Sequence, residues 1–361
     1  MKRFLEEDDV KREDEIEPLE NKRRIAPRWK RQKDKLKEPI KPWGKKERYL
    51  VLTIFLATSL IPAFLALSAR AYKLPGLPEL SPPKASFIKR FFEGKTIVLE
   101  KEENEIKEDE AMNKKKEIIV SRFKGETNKL SGVYGLYIVD LKSGFSFGVN
   151  ESETFDAASL IKLPVMAAMY RMSEDGEIDL NEKYSLKNSD KASGAGSLFY
   201  KPAGYLVSYG EILNLMGQQS DNTAFVIARN KVGKENIENL IRKIGMVDTR
   251  FDTRQTTPRD IGIFFFKLWQ GKVVNQSNRD KILDSLTKTI FEDYLPAGLP
   301  ENVRIAHKFG TLENIINDAG IVFDTNHPYV IVLMSKGIIE REAKLVVPAI
   351  SKMVFEEMGK D

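Results

Sequence analysis

The sequence predicts an α/β fold of the α+β kind: one mixed domain in the last two-thirds of the chain, preceded by a single transmembrane helix. Three observations carry this. Runs rich in β-formers stand at both ends of the second part with helical segments between them, so the terminal strands are expected to meet in one sheet. Residues 49–69, YLVLTIFLATSLIPAFLALSA, contain no charge and at about 1.5 Å rise per residue reach about 30 Å, the thickness of a bilayer core. A hydrophobic content of 42% over 361 residues is enough for a substantial core.

Taken in order, residues 1–48 are charged throughout and lack apolar periodicity, which predicts a solvated, basic, disordered tail. Residues 49–69 follow as the expected span, with Lys45, Lys46 and Arg48 on one flank and no polar face. The basic flank is expected to stay in the cytoplasm, which makes this a single-pass cell-membrane protein with everything after Arg70 outside. The long leader and long apolar run argue against a cleaved signal peptide, and Pro62 is tolerable in a membrane helix. The basic stretch can bind anionic lipid. Residues 70–116, which hold LPGLPELSPP and a dense Glu/Lys run, read as a spacer with a charged helix near 100–116.

The compact domain is expected over 117–361. GVYGLYIVDLKSG and FSFGVN form a hairpin joined by Lys142-Ser143-Gly144, with glycine supplying the turn. Helices follow at Ser159, at Gly210 (EILNLMGQQ), at Asp221 (NTAFVIARNKVG) and at Lys234 (ENIENLIRKIG). NDAGIVFD and PYVIVLMSKG read as strands, and EREAKLVVPAISKMVFEEM as a closing helix.

Composition excludes several functions. The net charge of +5 is modest and the basic residues gather near the amino terminus, so no nucleic-acid partner is expected. The absence of cysteine rules out disulfides, thiolate metal sites and a cysteine nucleophile, and two histidines, His307 and His327, leave little for a metal centre. Neither metal nor cofactor is expected.

Chemistry is suggested by Ser159-Leu160-Ile161-Lys162 at the mouth of an apolar helix. The spacing alone proves nothing, because Ser-x-x-Lys recurs at Ser81/Lys84, Ser86/Lys89, Ser121/Lys124 and Ser285/Lys288. A serine hydroxyl needs a base within reach and donors for the oxyanion it creates. Residues three apart on a helix share a face, which puts Lys162 beside the Ser159 hydroxyl. A lysine desolvated there, near another cation, has its pKa lowered enough to accept a proton. Pro164 falls in the opening turns, where a missing amide hydrogen costs least.

Two further triplets separate Ser159 from the decoys. Ser220-Asp221-Asn222 stands at a helix-to-helix turn, and Lys308-Phe309-Gly310 stands just before NDAGIVFD. Taken alone, the first reads as a helix cap and the second as a surface lysine beside a turn glycine. Together they match, in order and approximate spacing, the S-x-x-K, S-D-N and K-T-G set. With GVYGLYIVDLKSG, SDNTA, the Gly245-Met246 and Thr249 of IGMVDT, TTPRD and HKFGTLENIINDAGIV, residues 117–358 resemble the class A β-lactamase and penicillin-binding serine hydrolase family.

The resemblance implies an antiparallel sheet with helices on both faces and an all-helical subdomain over about 170–265, with the site at their junction. It implies Ser159 as acylated nucleophile, Lys162 as its proton partner, and Ser220 as relay to the leaving nitrogen. Asn222 would hold a substrate amide, and Lys308 would supply a positive field for Ser220 and the substrate carboxylate. The backbone amides of Ser159 and Thr311 would form the oxyanion hole beside Gly310. The substrate would be a β-lactam or a peptidoglycan stem peptide. His307, next to Lys308, needs no role as a base.

The sequence departs from the family in two places. Phe309 stands where the family has Thr or Ser, removing a hydroxyl that Thr311 would have to replace. The loop that carries the family's water-activating Glu and, four residues on, Asn is reduced to MVDTRFDTRQ. Glu235 and Asn239 have the spacing but belong to the preceding helix, and Asp248 or Asp252 is a substitute only in principle. General-base help contributes about 10²–10⁴-fold, so acylation is better supported than fast turnover. A slow β-lactamase, a D-alanyl-D-alanine carboxypeptidase and a non-catalytic cell-wall binding or sensing protein remain open.

Overall fold

The structure is a computed structural model that describes residues 46, 49–51, 53–55, 58, 110–324 and 327–360. It divides into two units, Met1–Phe87 and Ile88–Asp361. The described residues of the first unit are helical and exposed. Among the described residues no helix is long and apolar enough to cross a membrane. Most of the expected span 49–69, nearly all of the tail 1–48 and the spacer up to residue 109 lie outside the described residues.

In the second unit a helix, α1, covers residues 110–127. It runs through the expected boundary at 117, because Ile119 and Phe123, one turn apart, are buried beneath a Glu/Lys-rich exposed side. The strands β1 (Val133–Asp140) and β2 (Ser146–Val149) form the expected hairpin. Its turn is held by Asp140, whose carboxylate accepts from the Lys142 amide (3.1 Å), the Ser143 amide (2.7 Å) and the Ser143 hydroxyl (2.7 Å).

A short strand, β3 (Phe155–Asp156), leads into a 3₁₀ turn, Ala158–Ile161, and then α2 (Lys162–Glu174). Every residue of α2 from Lys162 to Tyr170 is buried, so this helix is the centre of the helical layer. The β4 (Lys183–Ser185) and β5 (Leu206–Ser208) ribbon precedes α3 (Tyr209–Gln218), α4 (Asn222–Val232) and α5 (Lys234–Lys243). Ser208 and Glu211 close α3 with a capping box.

After β6 (Gln255–Thr256), α6 (Pro258–Trp269) and α7 (Gln276–Thr287) complete the layer; the sequence reading had assigned no element to either. Within α6, IGIFFFKLW buries residues over too wide an arc for a clear stripe, although Thr257 and Pro258 are a well-formed helix start. Because α6 packs on β1 and the sheet, the implied helical subdomain 170–265 is displaced: it starts with α2 and α6 stands outside it.

The remaining strands are β7 (Arg304–Leu312), β8 (Ile315–Phe323) and β9 (Tyr329–Lys336), and α8 (Glu340–Met358) closes the unit. The five-stranded sheet is antiparallel throughout, in the order β2-β1-β9-β8-β7. The terminal strands do meet, with β1 paired along its length to β9 from Val133↔Lys336 to Asp140↔Tyr329. One face packs on α1 and α8, the other on α6 and the helical layer, giving two apolar cores. That leaves β7 as a free edge beside the 3₁₀ turn.

His307 on β7 is buried and shares a 2.7 Å hydrogen bond with Asp318 on β8, whose other oxygen accepts from the Leu295 amide at 3.1 Å. Its place is structural, and it is not among the residues that line the cavity holding Ser159. Asp318→Ala leaves both partners without their acceptor, and we expect a loss of roughly 3 kcal/mol in urea denaturation.

Candidate active site

The site forms where the 3₁₀ turn, the α3–α4 junction and the β7 edge converge. Ser159, Lys162, Ser220, Asn222, Phe309, Gly310 and Thr311 all line one cavity of about 470 Å³. Lys308 does not line it. Two of the neighbouring backbone positions are left-handed without being glycine: Ala158 at φ +46° and Ser220 at φ +53°. Such residues persist only where the surroundings hold them, and they gather at functional sites.

What holds Ser220 is the start of α4. Asp221, fully buried, caps that helix by accepting from the Ala224 amide at 2.8 Å, while its other oxygen accepts from the Leu198 amide at 2.8 Å. The capping reading of the triplet is met by Asp221, while Ser220 and Asn222 on either side of it line the cavity. The loop opposite is SGAGS, residues 193–197. Gly196 (φ +101°) lies so close that a Cβ there would stand 2.2 Å from the Asp221 carboxylate. Nothing in the sequence reading singled this loop out; its three small residues and two glycines were the only signal.

Lys162 donates to the Ser220 carbonyl, to the Ser220 hydroxyl (3.1 Å) and to the Asn222 side-chain oxygen (2.7 Å), not to Ser159 as the helical spacing predicted. The partners explain this: all three donors of Lys162 are taken by Ser220 and Asn222 from the α3–α4 junction, although Ser159 stands one 3₁₀ turn before it. Three donors engaged at once describe an ammonium. A neutral amine keeps two N–H groups and gains a lone pair, so loss of the proton frees one contact and creates an acceptor. Burial lowers the Lys162 pKa to about 7; Asp221 opposes the shift and the Arg254 charge adds to it.

Asn222 gives its amide nitrogen to the Ser193 carbonyl at 2.8 Å, so the group expected to hold substrate is already paired. Lys308 is entirely buried and its ammonium donates to the Phe309 carbonyl at 3.1 Å, without reaching Ser220. Burial, with the Lys162 charge added, pushes Lys308 well below the ordinary lysine value, while Asp318 opposes this. Any influence of Lys308 on the cavity is exerted at a distance.

On β7 the pleat sets the roles. Gly310 lies against the 3₁₀ turn that carries Ser159, where a Cβ would stand 2.7 Å from the Ser159 nitrogen, so only glycine lets the strand approach that amide. Thr311 is paired with Ile316, which turns both backbone groups to the Ser335 hydroxyl on β9. By antiparallel alternation, the Thr311 amide faces the free edge. Its hydroxyl is engaged by the Ile315 carbonyl at 3.1 Å and does not replace the one missing at 309. The Phe309 ring stacks on Tyr294 (centroids 4.6 Å, 15°) and Phe291 (5.2 Å, 27°) and packs with the α1/α8 core.

None of the stand-ins for a water-activating carboxylate lines this cavity. Glu235 and Asn239 lie exposed on α5. Asp248 is exposed, and Asp252 pairs with Lys234 at 2.7 Å. The shortened loop contributes Arg254 instead. Asp156 does line the cavity, but one of its oxygens accepts from the Ala158 amide at 2.8 Å. Among the described residues no group of His, Cys, Asp or Glu forms a metal site. Of the decoys, Ser121 is exposed on α1 and Ser285 is buried in α7, while Lys288 pairs with Asp284 at 2.7 Å. Ser81 and Ser86 lie outside the described residues.

The model of the Beta-lactamase enzyme family matches residues 117–358. The chain belongs to that family. An imipenem-hydrolyzing β-lactamase of Enterobacter cloacae is 24% identical over 246 residues, covering 62% of this chain and 83% of the relative. Among β-lactamase-like folds of known structure, PBP-A superposes with a TM-score of 0.63 at 28% identity, covering 66% of this chain and 95% of PBP-A. A mutant of PBP-A is known as an acyl-enzyme complex with penicillin G. A β-lactamase from Sphaerobacter thermophilus superposes with a TM-score of 0.64 at 24% identity, over 67% and 97% of the two chains, a likeness of fold.

Lys162 should titrate near pH 7, measurable by NMR after reductive ¹³C-methylation, and Arg254→Ala should raise the midpoint by removing a repelling charge. Between about 7 and the ordinary value of 10.5 the unfolded chain binds more protons than the folded one. The Lys162 contribution to stability should therefore rise with pH across that window.

Proposed function

We propose that the chain is a serine acyl-enzyme hydrolase acting on β-lactams or related acyl-D-Ala amides, and that its acyl-enzyme is long-lived. The observation that carries the reading is a lysine with a midpoint near neutrality, bonded to the Ser220 hydroxyl, in the cavity that holds Ser159. In the neutral form the Lys162 lone pair takes the Ser159 proton as the Ser159 Oγ–carbon bond forms. The amide C–N bond breaks as its nitrogen takes the Ser220 proton, and the Lys162 ammonium returns a proton to Ser220. The amides of Ser159 and Thr311 receive the oxyanion. Water must then cleave the ester.

Slow deacylation is supported by the absence of any carboxylate from Gly245 to Thr256 in the lining of the cavity. The same observation favours a second reading, a D-alanyl-D-alanine carboxypeptidase that β-lactams trap. For residues 49–69 we propose a membrane anchor, supported by an uncharged run with Lys45, Lys46 and Arg48 on one side. The hydrolase domain would then face the cell wall.

Full-length protein purified in mild detergent should be labelled by a fluorescent penicillin, and Ser159→Ala should not be. Failure of the wild type to label would overturn the enzyme reading and leave the binding or sensing protein. The acylation rate should rise with pH through about 7, because only the neutral amine accepts a proton, and Lys162→Ala should lower it about 10²–10⁴-fold. A chromogenic cephalosporin should give one burst per molecule and then slow turnover. Fast steady hydrolysis would sink the long-lived intermediate, and release of D-Ala from an acyl-D-Ala-D-Ala peptide would favour the carboxypeptidase.

A further inference from the structure

A second cavity, of about 620 Å³, shares Phe225, Arg229 and Arg254 with the one that holds Ser159. It takes no residue from β7, so it extends the cleft away from the edge strand, on the side of α4 and the shortened loop. Its remaining charged walls are Lys234 and Asp252, which neutralise one another at 2.7 Å.

The two guanidinium groups are left over. Arg229 lies 5.7 Å over the Phe225 ring and reaches only the neutral Asn230 side chain, at 3.5 Å. Among the described residues neither Arg229 nor Arg254 has a carboxylate partner. The backbone of Arg254 is fixed: its carbonyl accepts from the Ala157 amide at 2.7 Å, and its φ of +54° is one of the left-handed values around the site. That bond ties the loop to the nucleophile's turn. The charge of Arg254 is felt at Lys162, which places it within electrostatic range of the reaction.

We infer that the cleft selects an acyl group that carries a carboxylate, held between Arg229 and Arg254 while the scissile carbonyl lies at Ser159. A planar guanidinium pairs with a carboxylate through two parallel hydrogen bonds, and two of them flanking a cavity give direction as well as charge. Phe225 and Phe251 supply an apolar wall for the rest of the acyl group. This rests on the hydrolase reading above and adds to it the chemistry of the preferred acyl half.

Benzylpenicillin and carbenicillin differ by one carboxylate on the acyl side, so their acylation rates by full-length protein isolate the effect. The wild type should acylate with carbenicillin about tenfold faster, a preference that shrinks as salt is raised. Arg229→Gln with Arg254→Gln should bring the ratio of the two rates to about one, and Arg254→Lys should keep most of it. A wild-type ratio of one or below, or a ratio untouched by salt, overturns the inference without any variant having to fold. If benzylpenicillin itself fails to acylate Ser159, the hydrolase reading is what has failed, and this inference falls with it. Acyl-D-Ala-D-Ala peptides with a side-chain carboxylate or its amide distinguish the source. Faster release from the acid assigns the subsite to a peptide, and equal release assigns it to a β-lactam acyl group.

Discussion

Two lysines buried at one junction, Lys162 at the head of α2 and Lys308 on β7, set the terms for the rest of the site. Taking an ammonium out of water is costly unless it is paired, neutralised or both. Among the described residues no carboxylate touches Lys162; it is met by neutral oxygens, two from Ser220 and one from Asn222. A carboxylate in their place would hold the proton firmly. Dipoles hold it loosely, and the amine stays within reach of both protonation states.

Supplying those dipoles requires unusual backbone. Ser220, at positive φ, presents its carbonyl and its hydroxyl to one atom, and that conformation is held from behind by the Asp221 cap and the closely packed 193–197 loop. The turn that carries Ser159 is constrained in the same manner, with Ala158 left-handed on one side and Gly310 pressed against the Ser159 amide on the other. Strain and close packing thus fix the positions of Lys162, Ser220 and the backbone around Ser159 before anything binds, which under the proposed reaction lowers the reorganisation it demands.

The order of the three triplets, the hairpin, and the strands β8 and β9 were legible in the sequence, because each is local: a turn chemistry, an alternation, a spacing. The partners of Lys162 were not. The expectation of a bond to Ser159 followed from closeness along the chain, whereas the Lys162 donors are taken by Ser220 and Asn222 from a distant part of it. Nor could pattern show that β7 is the free edge, that the Phe309 ring stacks with Tyr294 and Phe291, or that Lys308 is sealed beneath the surface. These depend on which face of a strand meets which neighbour. The helix α1 was legible only in part, as a charged helix near 100–116, because Met112, Ile118, Ile119, Val120 and Phe123 stand among Glu and Lys without a clean stripe.

That helix is fastened to the far end of the chain. Lys115 donates to the Met358 carbonyl at 3.0 Å and Arg122 pairs with Glu357 at 3.3 Å, so the entry and exit of the hydrolase domain are clasped together. A pull transmitted from upstream would load this clasp first and peel α1 from α8 before it strained the sheet. The Ser159 pocket shares the Phe309 and Phe291 rings with the core beneath those two helices, so such a peel would reach the pocket through its aromatic wall.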